Sequence, residues 1–190
     1  MITDKFVFFW GGTYSQWCPS PFTIDGIEYN CTEQYMMAKK ALMFNDIEAY
    51  SKIMKATQPW EQKQYGREVK GFKKEHWEKY CRKIVYDANY AKFTQNPDMK
   101  EELLATGDKE IVEASPEDRI WGIGLHESDK RCLDKTQWDG TNWLGIAIME
   151  VREVLVNHFV DELYNDCIYQ NTERFVINIQ RKQEKFKLEL

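Results

Sequence analysis

The segment that most constrains this chain is residues 30–44, NCTEQYMMAKKALMF, which has the composition and spacing of a helix. At about 100° per residue, Glu33 and Lys40 lie within about 20° of each other on one stripe, next to Met36 and Phe44. The other faces are also mainly apolar. A helix that is apolar almost all round is expected to be buried. The segment therefore predicts that a carboxylate and an amine are carried into an apolar environment.

Two interpretations of this pair remain open from the helix alone. Burying an ion costs several kcal/mol unless it is paired or used, which favours a functional site. Alternatively, Asn30 and Glu33 resemble a capping box, and an acid in the first helical turn is stabilised by the helix dipole. Lys40 could then simply extend its four-carbon stem to solvent.

The composition predicts one domain with a substantial core, because 43% of the 190 residues are hydrophobic and 14% are aromatic. Aromatic residues fill cores, and they also line pockets that stack on flat rings. Five cysteines without CxxC spacing and three scattered histidines form no zinc pattern, so we expect no metal and no cofactor. The N-terminus has no secretory signal and no apolar run is long enough to span a membrane, which predicts a cytoplasmic protein with reduced thiols.

The net charge of -5 is unevenly distributed. Residues 51–83 contain ten Lys or Arg against four Glu, whereas residues 101–170 contain six against sixteen Asp or Glu. The acidic total argues against strong non-specific duplex binding, which depends on neutralising phosphates. The basic block fits either a phosphorylated small molecule or nucleic-acid end, or a solvated helix face.

The periodicity predicts an α+β fold, a predominantly helical single domain with a small N-terminal β-hairpin or sheet. We expect strands at 6–10, 22–24, 27–29 and 111–114, a weak edge strand at 174–180, and helices at 30–44, 46–55, 60–70, 73–91, 97–105 and 142–159. In the long helix 73–91, the predicted buried stripe is Trp77, Tyr80, Cys81, Ile84 and Val85. We divide the chain into a catalytic domain, 1–160, and a C-terminal extension, 161–190, that packs on it or trails from it.

Two loop regions add chemistry to the helix. Gly11 and Gly12 follow the first strand at Trp10, and paired glycines allow a backbone to approach a ligand closely and to aim amides at phosphate. Farther along, DRIWGIG (118–124), WDG (138–140) and NWLG (142–145) combine an acid, aromatic rings and glycines in polar loops, where function tends to lie.

Together these segments resemble the NADAR superfamily, also called YbiA-like. The match runs in order through FWGG, EQY with the following Ala38 and Lys40, DRIWGIG, NWLG and MEVR (149–152), with YGR (65–67) and AKF (91–93) between them. It spans roughly residues 6–157. Gln34 stands where many relatives have His, which puts a proton role there in doubt, and residues 160–190 have no identified counterpart.

The resemblance implies an N-glycosidase that cuts the bond between ribose C1 and a nitrogen. The implied substrate is ADP-ribosylated guanine, as a nucleoside or in nucleic acid, cleaved through a lysine Schiff base. A second reading is hydrolysis of ribosylamino-pyrimidine phosphate intermediates of riboflavin biosynthesis. A third, of another class, is a non-catalytic module that binds ADP-ribose or a nucleotide. No membrane partner is expected.

The residue types suit this chemistry, because a carboxylate stabilises an oxocarbenium-like transition state and a general acid protonates the leaving group. By the resemblance, Lys40 is the nucleophile, Glu33 its acid/base partner, and Asp118 holds ribose hydroxyls or stabilises C1. A lysine needs burial to be a neutral nucleophile, which the apolar stripe supplies. The expected substrate-binding residues are Trp10 and Trp121 at the base or sugar, Gly11, Gly12 and Gly122 near phosphate, Asn142, and Arg67, Lys92 and Arg152 as phosphate ligands or else structural ion pairs.

Overall fold

The computed structural model of the protein describes residues 1–158. Its elements are β1 (Phe6–Phe9), β2 (Phe22–Ile24), β3 (Ile27–Tyr29), α1 (Thr32–Met43), α2 (Ile47–Lys55), α3 (Pro59–Arg67), α4 (Lys74–Gln95), α5 (Pro97–Ala105), β4 (Glu110–Glu113) and α6 (residues 143–158). The mainly helical α+β class is thereby confirmed. The predicted edge strand at 174–180 and the predicted extension 161–190 lie outside the described residues.

The chain forms two compact units, Met1–Arg152 and Glu153–Leu190, and every feature discussed below belongs to the first. The described part of the second unit, residues 153–158, is helical. Within residues 1–158, no helix has the length and apolar character needed to cross a membrane.

Two small sheets frame the N-terminal part. Strands β2 and β3 form the predicted antiparallel hairpin, whose turn residues Asp25 and Gly26 have φ angles of 54° and 76°, as hairpin turns of type I′ require. Strand β1 pairs in parallel with β4, with Phe9 opposite Glu113. All four residues of β1 are buried, which fits a parallel strand covered on both faces. The two carboxyl ends of this pair therefore lie side by side.

Helix α1 lies at the centre of the helical part and packs against α2, α3 and α4. Its first seven residues and Ala41 are buried, as its apolar circumference predicts. The alternative interpretation, a capping box formed by Asn30 and Glu33, is wrong. Cys31 is the N-cap and makes no side-chain cap bond, because the Asn30 side chain instead accepts a hydrogen bond from Gln62 and donates one to the Thr57 carbonyl.

Some predicted helix boundaries and faces also differ from the structure. Helix α4 continues to Gln95 rather than ending at 91, and α3 ends at Arg67 rather than 70. On α4, Cys81 and Val85 are buried as predicted, but Tyr80 is 47% exposed. The stripe therefore faces the core at its C-terminal part, while the first turns of α4 carry aromatic rings at the surface.

Candidate active site

Glu33 enters the site from the first turn of α1. Its side chain is 3% exposed and Oε1 has no hydrogen-bond partner in the described chain. Burial raises the pKa of this carboxyl to about 7, although the Lys63 charge and a hydrogen bond from the Trp17 side chain oppose the shift, and Asp118 adds to it. Near neutral pH such a group is protonated for part of the time. It can therefore either donate or accept a proton, as a general acid/base must.

A second carboxyl, on the half-buried Glu113, ends strand β4. Its Oε2 is also buried without a hydrogen-bond partner among residues 1–158. Burial raises the Glu113 pKa to about 8, with further increases from the Asp118 and Glu33 charges and a decrease from Lys63. Three carboxyl groups and one lysine thus share a single electrostatic environment at the end of the strand.

Asp118 is held by its own loop. Its Oδ1 accepts hydrogen bonds from the backbone N–H groups of Ile120, at 2.9 Å, and Trp121, at 2.8 Å. This local turn fixes the direction of the carboxylate. Asp118 raises the pKa of both Glu33 and Glu113, so the structure brings it to the same site, as expected from the sequence.

Lys40 lies farther along α1, where α3 and the start of α4 approach. Its Nζ donates to the Gly66 carbonyl at 2.7 Å and lies 4.3 Å from the Phe72 ring centroid and 5.8 Å from that of Trp77. Burial lowers the pKa of this amine from its ordinary value of 10.5, with Glu33 opposing the shift and Arg67 adding to it. The structure thus couples Lys40 and Glu33 electrostatically, as their shared stripe predicted.

Gly66 makes this approach of α3 to α1 possible. A Cβ atom at position 66 would lie 1.9 Å from Sδ of Met37, so any larger residue would displace the Met37 side chain between the two helices. The same close contact delivers the Gly66 carbonyl to the Lys40 amine. Arg67, the next residue, is exposed at the end of α3 and lies near enough to influence both Lys40 and Glu33.

The segment Trp10–Gly12 leaves the carboxyl end of β1 beside Glu113. The two ends are tied together, since the Ala114 N–H donates to the Phe9 carbonyl at 2.7 Å. Gly11 and Gly12 are exposed with open space around them, and Gly12 has a φ of +70°. Trp10 is half exposed. Ligands of open α/β sheets bind outside the carboxyl ends of the strands, so this placement favours a ligand-binding role for the segment.

The two other aromatic and glycine positions of the 118–124 loop contact protein. A Cβ atom on Gly122 would lie 2.8 Å from the Glu113 carbonyl and 3.0 Å from that of Asp118, so this glycine lets the loop lie directly against β4. Trp121 packs edge-on against Trp143, with centroids 5.9 Å apart. Both positions keep the loop, and with it Asp118, in place.

Three expected substrate-binding residues are not brought to this site, because their polar groups are already engaged by the protein. The Lys92 side chain is fully buried and its Nζ donates to the Ser15 carbonyl at 3.0 Å. Asn142 donates to the Ile111 carbonyl and accepts from the Glu113 N–H. Arg152 donates to Thr106 Oγ1 and to the Lys109 carbonyl. Lys92 and Asn142 thus hold backbone close to Glu33 and Glu113, and Arg152 holds the turn that leads into β4.

Four residues at the site were missed from the sequence. Glu113 could have been found, because an acid within the otherwise apolar run IVEA (111–114) is unusual in a buried strand. Trp77 and Phe72 were taken for core or ignored, and Lys63 sits in a polar helix without any distinguishing pattern. Within residues 1–158, no three His, Cys, Asp or Glu side chains are grouped so that they could hold a metal ion.

Comparisons with known proteins identify the family of the chain. The sequence model of the NADAR domain family matches residues 8–156. N-glycosidase R617 of Acanthamoeba polyphaga mimivirus is 43% identical, over 80% of this chain and 98% of that protein. A riboflavin biosynthesis protein of Vibrio vulnificus (strain YJ016) is 29% identical, over 77% of this chain and 36% of that protein.

The fold also has a solved counterpart. The NMR structure of the E. coli protein YbiA superposes with a TM-score of 0.69 at 26% identity, covering 84% of this chain and 90% of that one. In the sequence comparison the E. coli protein, named N-glycosidase YbiA, is 29% identical to this chain. The chain therefore belongs to the NADAR domain family, and it is an enzyme of the N-glycosidase class, a hydrolase that acts on N-glycosyl bonds.

Proposed function

We propose that the protein hydrolyses the bond between ribose C1 and the guanine nitrogen of ADP-ribosylated guanine, through a Schiff base on Lys40. The observation that carries the proposal is the pairing of two shifted groups on one face of α1. Glu33 has an unpartnered buried oxygen and a pKa raised to about 7, while the pKa of Lys40 is lowered by burial. A proton donor and a partly neutral amine are what imine chemistry at C1 needs.

The proposed reaction starts with ring opening. The Glu33 carboxyl gives its proton to the ribose ring oxygen as the C1–O bond breaks, and the lone pair of the guanine nitrogen forms a C1=N bond. The neutral Lys40 amine then adds to C1. A proton passes from the lysine nitrogen to the guanine nitrogen, which leaves with the electron pair of the C1–N bond. Lys40 is now bound to C1 as an imine.

Water completes the turnover. It adds to C1 of the imine and gives a proton to the Glu33 carboxylate. The new C1 hydroxyl then passes its proton to the lysine nitrogen as the C1–N bond breaks, which frees the lysine as a neutral amine. C1 is left as an aldehyde that closes again to the ribose ring. One water is consumed, and the products are ADP-ribose and the free guanine amine. Asp118 directs its second oxygen to the ribose hydroxyls, since Oδ1 is occupied by the loop backbone.

Asp118 supports Glu33 in this scheme. A negative neighbour disfavours ionisation of a carboxyl group, so Asp118 helps to keep the Glu33 proton in place near neutral pH. Glu113, whose pKa is about 8, is itself mostly protonated there. Lys63 opposes this effect at both Glu33 and Glu113. These opposing effects leave the Glu33 pKa at about 7, so that the carboxyl can give up its proton once substrate has bound.

A second candidate is hydrolysis of a ribosylamino-pyrimidine phosphate, favoured by the Vibrio relative that is named a riboflavin biosynthesis protein. The bond and the proposed chemistry are the same, and only the leaving amine differs. A non-catalytic module that binds ADP-ribose is the weaker alternative, because binding alone requires neither a buried proton donor nor a lysine with a lowered pKa.

Two parallel incubations separate these functions. The protein is mixed with ADP-ribosylated guanosine or with a ribosylamino-pyrimidine phosphate, and the products are resolved by liquid chromatography. We expect free ADP-ribose and intact guanosine from the first. Turnover of only the pyrimidine would establish the second candidate, and binding without turnover of either would establish the non-catalytic module.

A further inference from the structure

A row of aromatic rings runs outward from the active-site lysine over the protein surface. From Lys40 it passes to Phe72, then Phe44, His76 and Tyr80, with successive ring centroids 5.3, 5.9 and 5.4 Å apart. We call these four rings the aromatic ladder. Phe72 is 42% exposed and Tyr80 is 47% exposed, and His76 is also exposed. Three of the four rings are therefore exposed to solvent, and the half-buried Phe44 connects Phe72 to His76.

Packing of the core does not explain this exposure. His76 and Tyr80 are four residues apart on α4 and so share one face of the helix. The core-facing side of α4 is formed by other residues, such as Cys81 and Val85. Single exposed apolar residues are common on protein surfaces, but a contiguous row of exposed rings is typical of an interaction surface.

The charge around the ladder is positive. Residues 67–83 contain seven Lys or Arg against three Glu, in a chain whose net charge is -5. Lys74 pairs weakly with Glu78, at 3.6 Å between exposed side chains. Lys73 and Lys79 form no ion pair with any of residues 1–158, and both are exposed. Their charges are available to an anionic partner.

We infer that the aromatic ladder and its lysines bind single-stranded nucleic acid, with bases stacked on the exposed rings and phosphates beside Lys73 and Lys79. Exposed rings in a basic surface are how proteins bind single strands without reading sequence, because every base has a flat face. In a duplex the faces of the bases are stacked on one another and cannot reach the rings. The net negative charge of the protein also disfavours binding of a duplex through its phosphates alone. The ladder ends at Lys40, so a modified base in the strand would enter the site directly; this last step rests on the proposed function.

Binding is tested without any modified base. A short, fluorescently labelled single-stranded oligothymidylate is titrated with the protein at low salt and followed by anisotropy. Replacing Tyr80 by Ala is expected to weaken binding about tenfold, the size typical of one lost stacking contact. Lys79→Ala is expected to reduce the slope of log affinity against log salt by about 0.7, the value of one phosphate contact to a single strand.

The matched control is Tyr90→Ala. Tyr90 stacks on Tyr86 on the same helix, with centroids 6.2 Å apart, but is not part of the ladder. The Tyr90→Ala variant should bind the strand as tightly as the unchanged protein does. Equal binding of a duplex, or unchanged binding by the Tyr80→Ala variant, would overturn the inference and leave the ladder to a protein partner.

A second measurement separates this inference from the proposed function. Cleavage is compared for ADP-ribosylated guanosine and for the same guanine within a single strand, and Tyr80→Ala should lower kcat/KM about tenfold for the strand alone. If neither substrate is cleaved while the unmodified strand still binds, the proposed function fails and the docking surface stands. If the nucleoside is cleaved but Tyr80→Ala changes nothing for the strand, the docking surface is wrong.

Discussion

The surroundings of Lys40 and Lys92 show two ways in which a fold can desolvate a lysine. Burial lowers the pKa of both amines, to about 8 for Lys92. Lys92 is fully enclosed and donates to the Ser15 carbonyl, whereas Lys40 is only half buried and lies between the Gly66 carbonyl and two aromatic rings. Burial alone therefore does not distinguish the two lysines. Access and a nearby proton donor do, and both favour Lys40 as the nucleophile of the proposed reaction.

Their neighbours make the same distinction. The charges that act on Lys92 come from Cys18, Cys31 and Glu102, whereas Glu33 acts on Lys40. Lys92 still affects the site, through the backbone. It holds Ser15, and the carbonyl of the next residue, Gln16, accepts hydrogen bonds from Thr32 Oγ1 and from the Glu33 N–H. Lys92 is thus a positioning residue for the start of α1.

The largest effect is expected from Lys40→Ala. Loss of a covalent nucleophile should reduce kcat for ADP-ribosylated guanosine by about 10³-fold or more, because only residual stabilisation by the remaining groups is left. Borohydride should trap substrate on the unchanged protein but not on the variant, as judged by intact mass. Lys40→Arg should be equally inactive, since a guanidinium stays protonated.

Lys39→Ala is the matched control for this experiment. Lys39 is the adjacent residue on α1, and its amine lies 5.2 Å from the Tyr35 ring rather than in the site. Its removal should leave turnover and trapping near normal. Substantial turnover by a folded Lys40→Ala variant would make the covalent mechanism untenable and remove the contrast between the two lysines.

Glu33→Gln should lower kcat by about 10²- to 10⁴-fold, the range for a lost general acid/base. Stability should move in the opposite direction. Unfolded Glu33 ionises near its ordinary pKa of 4.5, but the folded protein holds the proton up to about 7. Between these values the buried carboxylate progressively costs stability, and the full cost remains above pH 7.

Removing that cost should raise the free energy of unfolding of Glu33→Gln above pH 7 by about 1–3 kcal/mol. Below pH 4.5 this gain should vanish, because the acid is then protonated in both states. Denaturant melts at the two pH extremes measure the difference. A variant that is less stable above pH 7 would mean that Glu33 holds the fold together and that its burial is structural.

A smaller effect is expected from Asp118→Asn, whose amide oxygen can still accept the two loop hydrogen bonds. The variant removes the charge that raises the pKa of Glu33, so this pKa should fall and the acidic donor should be lost at a lower pH. We expect turnover near neutral pH to drop about tenfold, which corresponds to one pKa unit in the donor. The decisive measurement is the pH profile of kcat, whose descending limb should move to lower pH. A uniform drop without movement of that limb would mean that Asp118 acts on the sugar and not on Glu33.

Much of the fold follows from local pattern. The apolar circumference of residues 32–38 required burial of α1, and the Asp25–Gly26 turn set the hairpin. The placement of Glu33, Lys40 and Asp118 in one electrostatic neighbourhood was also accessible, because helical spacing joins the first two and the family pattern supplies the third.

The remainder depends on contacts between distant segments. Strand β1 pairs with β4 about a hundred residues later in the chain, and no periodicity reveals that register. That pairing is what places Glu113 beside Glu33. The expected cap at Asn30 is absent for a similar reason, because the Asn30 side chain accepts a hydrogen bond from Gln62 of α3. Lys92 was expected to contact phosphate, since a sequence shows the charge of a lysine but not the carbonyl that it reaches.

The smallest effect on turnover should come from Lys92→Met, which separates a positioning lysine from a catalytic one. Folded Lys92 releases its proton near pH 8 instead of 10.5, so its contribution to stability is present above pH 10.5 and is lost as the pH falls to about 8. Met fills similar volume without a charge, and this pH dependence should disappear from denaturant melts. Turnover should change by no more than about tenfold, through looser placement of Glu33, and borohydride trapping should persist. A folded Lys92→Met protein that traps no substrate would show that Lys92 does more than position the start of α1, because Lys40 would then be intact yet unreactive.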